Sequence, residues 1–381
     1  MSLQEISRTN AAANRVSVIR SVYATIHPLT RPLPQKRIVP RVSWLIYVLL
    51  LCGVALACYR RPVTDDFDRY MYEAIVLGQH QSTAEVYATV KHESPRAEAS
   101  TILDSPDHLA KLEPLYKIRP LYIFLIEAIS AAGISVQHAI NLISAASLLG
   151  IGIALGVWTR RLMLSALLVV SALIAVLGRM GTPDALSAAV VIFALLAITR
   201  ERIDLGCVLL LLSVWIRTDN VIVLGLALPI LCWRHLPSWK LVAYLLAGAA
   251  SVLVINRIAG NYGWTVLFRW SFLPGAHSPG DIHAQVTLRE YVVVLASSLA
   301  SLSGHLSIWV FLGLTAWAGS RRSRRLLLVA ALGVAAHFVL YPSPEDRYLV
   351  WAYLVAAIAF VEWASVRHSA QIAWTGHSPA A

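Results

Sequence analysis

Leu121-Tyr122-Ile123-Phe124-Leu125-Ile126-Glu127-Ala128-Ile129-Ser130-Ala131-Ala132-Gly133-Ile134 decides how this chain is threaded. The stretch is apolar, but its 14 residues fall short of the roughly 20 that a helix needs to cross a hydrocarbon core. We read it as an interfacial or re-entrant helix. If it crossed, every later segment would invert, and arginine-rich turns would repeatedly face the wrong side of the membrane.

Working outward, residues 42–58 form a first crossing. Residues 139–158, 162–178, 185–199, 205–216, 221–233, 241–255, 306–318, 326–340 and 349–364 supply nine more, giving an all-α polytopic bundle of about ten transmembrane helices. With that parity, Arg160-Arg161, Arg200, Arg202, Arg234, Lys240, Arg321-Arg322-Ser323-Arg324-Arg325 and Arg367 all share the side of the N-terminus. Residues 291–318 are long enough for two crossings, but the four arginines that follow would then face outward. We therefore assign one crossing there, preceded by an external interfacial helix. Residues 1–41 carry Arg8, Arg15, Arg20, Arg31, Lys36, Arg37 and Arg41 against the single acid Glu5. That is the pattern of a basic cytoplasmic tail rather than a cleavable leader. The transmembrane domain then runs 42–368, with a first external loop at 59–137, a second at 256–303, and a cytoplasmic tail at 369–381. Both termini are cytoplasmic in this reading.

Composition agrees. The chain has 381 residues, 57% hydrophobic and 14% charged, and a mean hydropathy of +0.64, against roughly 25% charged in soluble domains. The net charge of +11 would suit nucleic acid, but the basic residues sit at the ends of apolar runs and trace no phosphate-tracking stripe. Cys52, Cys58, Cys207 and Cys232 lie in or beside apolar runs without metal-ligand spacing, and read as small buried hydrophobes.

The unusual polar residues gather on the other side. Thr64-Asp65-Asp66-Phe67-Asp68-Arg69-Tyr70 opens the first external loop, followed by Lys117 and Arg119, then Arg179 and Asp184, then Arg217 and Asp219, then Glu345, Asp346 and Arg347. Each sits at a helix end, where rigid elements can aim it into a shared site. Interfacial charges that pair or snorkel would look the same one at a time. As a set they suit sugar transfer from a phosphorylated lipid. A carboxylate takes the proton of an attacking acceptor, arginines hold the departing phosphate, and apolar helices provide a groove for the lipid tail.

The chain resembles the GT-C glycosyltransferases, especially bacterial polyprenyl-phosphate-sugar transferases of the protein-mannosyltransferase and aminoarabinose-transferase type. The resemblance rests on Asp66-Phe67-Asp68-Arg69-Tyr70 continued by Glu73-Ala74-Ile75, and on Arg119-Pro120-Leu121-Tyr122. It also rests on Arg179-Met180-Gly181-Thr182-Pro183-Asp184 and on Arg347-Tyr348. It implies an inverting transferase of the bacterial inner membrane with its active site at the external face. Asp66 is then the general base, with Asp65 and Asp68 as competitors, and Asp184 orients the base or the acceptor. Arg347 binds the donor phosphate, with Arg217, Arg179, Arg119, Lys117, Asp68, Arg69 and Tyr70 as further substrate contacts. The implied partners are a polyprenyl-phosphate-linked sugar, a glycan, lipid or protein acceptor, and the bilayer; no cofactor is implied. The chain is short for the family and lacks the large C-terminal external domain of some members.

Other readings stay open at this level. The three acids have the chemistry of a divalent-cation site. A polysaccharide polymerase or ligase would use similar arginines with a diphosphate-linked glycan, and a transporter or flippase would place charges nearer the bilayer midplane and show internal repeats. His337, and His305 beside it in type, read as core histidines with satisfied hydrogen bonds. Tyr262, Trp264, Phe268, Trp270 and Phe272 read as an interfacial aromatic belt or a sugar-stacking face. His277 and His283 are a weak metal pattern.

Overall fold

The computed structural model describes residues 41–63, 66–93, 104–274, 278–283, 285–302, 306–318, 323–343 and 345–375. The regular elements among them are helices, with no strand. In chain order these are α1 (Arg41–Arg60), α2 (Phe67–Leu77), α3 (Thr83–Glu93), α4 (Pro106–Tyr116) and α5 (Pro120–Ala131). Next come α6 (Val136–Thr159), α7 (Leu162–Val170), the single turn α8 (Ala172–Ala175), α9 (Asp184–Thr199), α10 (Ile203–Ile216) and α11 (Asn220–Ala227). The last group is α12 (Ser238–Ala259), α13 (Trp264–Phe272), α14 (Leu288–Ser301), α15 (Leu306–Trp317), α16 (Arg324–Leu340) and α17 (Val350–Thr375). The contacts below all lie within one unit, Trp44–Ala381. The basic tail, Arg41 excepted, lies outside the described residues, and α17 runs through Thr375, past the expected start of the C-terminal tail.

Of the runs read as crossings, four form helices long and apolar enough to cross a membrane: Arg41–Arg60, Val136–Thr159, Ser238–Ala259 and Asp346–Ala364. The first and third are 22% buried and the second and fourth 67%, so α1 and α12 are peripheral and α6 and α17 central. Leu45, Leu49, Leu246, Leu253 and Ile258 are exposed on the peripheral pair, as expected where lipid replaces water as solvent. Helix α5 has 12 residues and is about 18 Å long, well short of a bilayer core. It starts at Pro120, stops at Ala132 and turns at Gly133, whose φ of +92° suits a residue without a Cβ. The run 162–178 is not one helix. Ser171 leaves helical geometry with a ψ of 146°, and its hydroxyl donates to the Leu168 carbonyl at 2.6 Å. Helix α11 passes into a π turn over Leu228–Cys232, where Pro229 has no N–H to give the helical ladder.

Two cores divide the molecule. The larger runs through α6, α9, α10, α11 and α17. Helix α1 reaches it over Gly152 and Gly156, a close approach of the small-residue kind common between membrane helices. A Cβ on Gly152 would lie 2.7 Å from Leu51, and one on Gly156 2.7 Å from Tyr47. The Tyr47 hydroxyl donates to the Gly152 carbonyl at 2.6 Å across the same contact. The smaller core joins α2, α3, α4 and α5 to the start of α6 around Met71, Tyr72, Leu109, Leu112, Tyr122 and Ile126. Each such side chain, fully buried, contributes roughly 1.5–3 kcal/mol, which is why the long first loop folds instead of trailing. The second loop docks on the end of α16. There Trp264 and Tyr291 donate to the Leu340 and Val339 carbonyls at 2.6 and 2.7 Å.

Candidate active site

The site lies where the two cores meet. Asp66 occupies the N-cap position of α2, but its carboxylate does not cap the helix. It turns to the 179–184 loop, and its Oδ2 accepts from the Gly181 N–H at 2.9 Å. That loop is held from several directions. The Val63 N–H donates to the Arg179 carbonyl at 2.8 Å, and the Arg179 Nε to the Arg61 carbonyl at 2.6 Å. Ser144 donates to the Met180 carbonyl at 2.7 Å and Tyr122 to the Gly181 carbonyl at 3.2 Å. Asp66 is buried, and burial, reinforced by the Asp68 charge, pushes its carboxyl up to about 6. Arg347 and the Gly181 N–H oppose that rise without cancelling it.

Asp68, in the first turn of α2, has both oxygens engaged. Oδ1 accepts from the Tyr116 hydroxyl at 2.9 Å and Oδ2 from Arg347 Nη1 at 2.7 Å. Arg347 also donates to Glu345 at 2.5 Å and to the Tyr348 hydroxyl at 3.0 Å. Tyr348 is sandwiched between cations, its ring 4.9 Å from the guanidiniums of both Arg347 and Arg217. Buried Arg217 grips Asp219 through Nε and Nη2 at 3.0 and 2.6 Å, and reaches Asp184, the first residue of α9, with Nη1. Burial alone would raise Asp219, yet Arg217, helped by His337, holds its carboxyl well below the usual range. Removing one partner of the buried Arg217–Asp184 pair costs about 3–5 kcal/mol. Arg119 completes the group, its guanidinium 5.6 Å from the Tyr72 ring and 5.5 Å from that of Tyr116.

Most of the sequence-derived site residues therefore converge. Asp66, Asp68, Asp184, Arg119, Arg217 and Arg347 share one network, while others fall elsewhere. Lys117 pairs with Glu113 at 2.6 Å on the surface. Arg69 turns to Gln137 at 3.2 Å, and Tyr70 packs into the smaller core. Arg179 serves the loop backbone, and Asp65 lies outside the described residues. Arg347, expected to meet a phosphate, is already engaged by two carboxylates. His337 is not a satisfied core histidine: its Nδ1 lies 3.4 Å from Asp219, and its buried Nε2 has no partner among the described residues. Of the second-loop aromatics, Phe268 is wholly buried between Trp264, Phe272 and Tyr291, while Tyr262 and Trp270 pack against the smaller core. Among the described residues no three acids, histidines or cysteines are grouped to hold a metal ion.

Tyr72 and Tyr116 escaped the sequence reading, because a single sequence does not separate a core tyrosine from one whose hydroxyl meets charge. The buried Tyr72 hydroxyl has no acceptor among the described residues, a deficit worth roughly 1–3 kcal/mol. Thr182 Oγ1, in the loop that meets Asp66, is likewise unpaired there. No protein-family model, characterised protein or solved structure matches the chain.

Proposed function

We propose that this chain is an integral-membrane inverting glycosyltransferase of GT-C type, with about ten crossings and its site at the external face. It moves a sugar from a polyprenyl phosphate to a lipid, glycan or protein acceptor. The observation that carries this reading is a buried carboxyl, Asp66, raised to about 6 and held beside the Asp68–Arg347–Tyr348–Arg217 network. Asp66 is a base poised near neutral pH. It takes the proton of the acceptor hydroxyl or amine as that atom attacks the anomeric carbon. The bond from that carbon to the phosphate oxygen breaks, and the electron pair leaves with the polyprenyl phosphate. The leaving group is already acidic, so no second acid is needed, and a single displacement inverts the anomeric carbon.

The test is turnover by the purified chain with a panel of polyprenyl-phosphate sugars and membrane extract, read as released polyprenyl phosphate by mass spectrometry. The wild type releases it. Asp66→Asn lowers the rate by about 100-fold or more while its yield from membranes is unchanged. An undiminished rate in that variant would remove Asp66 as the base.

A further inference from the structure

The end of the molecule away from the acids carries a different charge pattern. Three turns meet there. Arg200, closing α9, donates to the Val157 carbonyl of α6 at 3.0 Å, and Lys240, in the first turn of α12, pairs with Asp204 of α10 at 3.1 Å. The turns from α6 to α7, α9 to α10 and α11 to α12 hold Arg160, Arg161, Arg200, Arg202 and Arg234. Arg217 and Arg347 at the other end each engage two carboxylates, whereas none of these five pairs with a carboxylate among the described residues. Helix dipoles do not account for the arrangement. Arg161 and Arg202 stand at the N-caps of α7 and α10, the end that repels a cation, and neither helix has a side-chain cap for its first N–H groups. Arg160 has a φ of 54° and Glu201 one of 64°, the two non-glycine residues of positive φ among the described residues. Arg160 therefore stands where the backbone alone favours glycine.

We propose that these turns bind the headgroup phosphates of anionic phospholipid in the leaflet they face, the cytoplasmic one in the threading given above. Uncapped N–H groups at a helix start are donors that an anion takes, and guanidiniums beside them match phosphate geometry. Phospholipid rather than soluble phosphate follows from what adjoins the arginines. Met163 and Leu167 on α7, and Leu205 and Val208 on α10, are exposed within two turns of Arg161 and Arg202, where acyl chains run. Trp233 and Trp239, 66% and 69% exposed, flank Arg234 as indoles do at a membrane interface. The site is independent of the chemistry at the acids.

Native mass spectrometry of the purified full chain in detergent micelles tests this, with dioleoyl phosphatidylglycerol and dioleoyl phosphatidylcholine added in equal amounts. The wild type retains phosphatidylglycerol in preference. Arg160→Gly and Arg202→Gln each weaken that preference about fivefold. Arg325→Gln removes the same charge from the first turn of α16, on the same side, and leaves the preference unchanged. Arg160→Gly also relieves the positive φ, so without added lipid it melts no lower than the wild type. A wild type without preference, or full preference in both variants, overturns the site. An equal loss in Arg325→Gln overturns it as well, since diffuse charge would then suffice. Displacement of phosphatidylglycerol by inorganic phosphate at equal concentration overturns the lipid assignment. Sugar turnover enters none of these readouts, so the site and the transferase reading fail separately.

Discussion

At the scale of single residues, Asp66 carries the clearest pH signature. Its carboxyl is raised, so the neutral form is favoured on folding. The stability this gives is present below the ordinary carboxylate range and lost as pH rises through about 6. Activity runs the other way, because a base works only when ionised. The rate is therefore expected to rise with pH up to a shoulder near 6, while thermal stability falls across the same interval. Asp66→Asn keeps an oxygen for the Gly181 N–H and loses the ionisation. It is expected to be inactive yet more stable than the wild type at pH 7.5, by up to about 3 kcal/mol. Denaturation curves of both proteins at pH 5 and 7.5 check this, and a variant no more stable at the higher pH would show that burial does not strain this carboxyl. The identity of Asp66 was legible in the sequence as an acid beside a crossing. Its partner Gly181 was not, because a backbone N–H leaves no compositional trace.

At the scale of elements, the decisive joint is that of α2 with the 179–184 loop. A Cβ on Gly181 would stand 2.4 Å from the Arg69 Cβ and 3.2 Å from its Cα, so the whole first turn of α2 must yield. Gly181→Ala is expected to cost about 1–3 kcal/mol and to pull the N–H away from Asp66. Turnover then falls at every pH, whereas Gly53→Ala, inside α1 where a Cβ meets nothing within 4 Å, does not lower stability. Equal melting temperatures for the two variants would mean that the loop is not pinned. Element positions were largely readable from hydrophobic runs and arginine-rich ends. The break at Ser171 was not readable, since a serine among apolar residues continues a helix as readily as it ends one; only tertiary contact decides. Nor was the neutral role of Lys117, whose spacing from Arg119 gives no hint that Glu113 on the same helix claims it.

At the scale of the whole molecule, the hydrogen bond between Asp66 and Gly181 constrains the threading more than any count of apolar residues. Two residues in contact share one side of a membrane, so an even number of crossings separates them. In the proposed threading, helix α6 is one and the broken 162–178 segment is the return, while α5, at 12 residues, adds none. The opposite ends of the same helices meet as well. Arg200 donates to the Val157 carbonyl at 3.0 Å, and Lys240 pairs with Asp204 at 3.1 Å, which puts the basic turns together at the far end from the acids. With those turns facing the cytoplasm, Lys117→Cys is expected to react with a membrane-impermeant maleimide on intact cells, and Arg202→Cys only after lysis. Cys52, exposed on α1, is replaced first, while Cys58, Cys207 and Cys232 are buried and leave little background. Labelling of position 202 from outside together with 117 would mean that α5 crosses after all, and would break the contact between Asp66 and Gly181 on which the site depends. Labelling of 202 but not 117 would invert the molecule and move the chemistry to the cytoplasmic face, where a nucleotide-linked sugar becomes the donor to test.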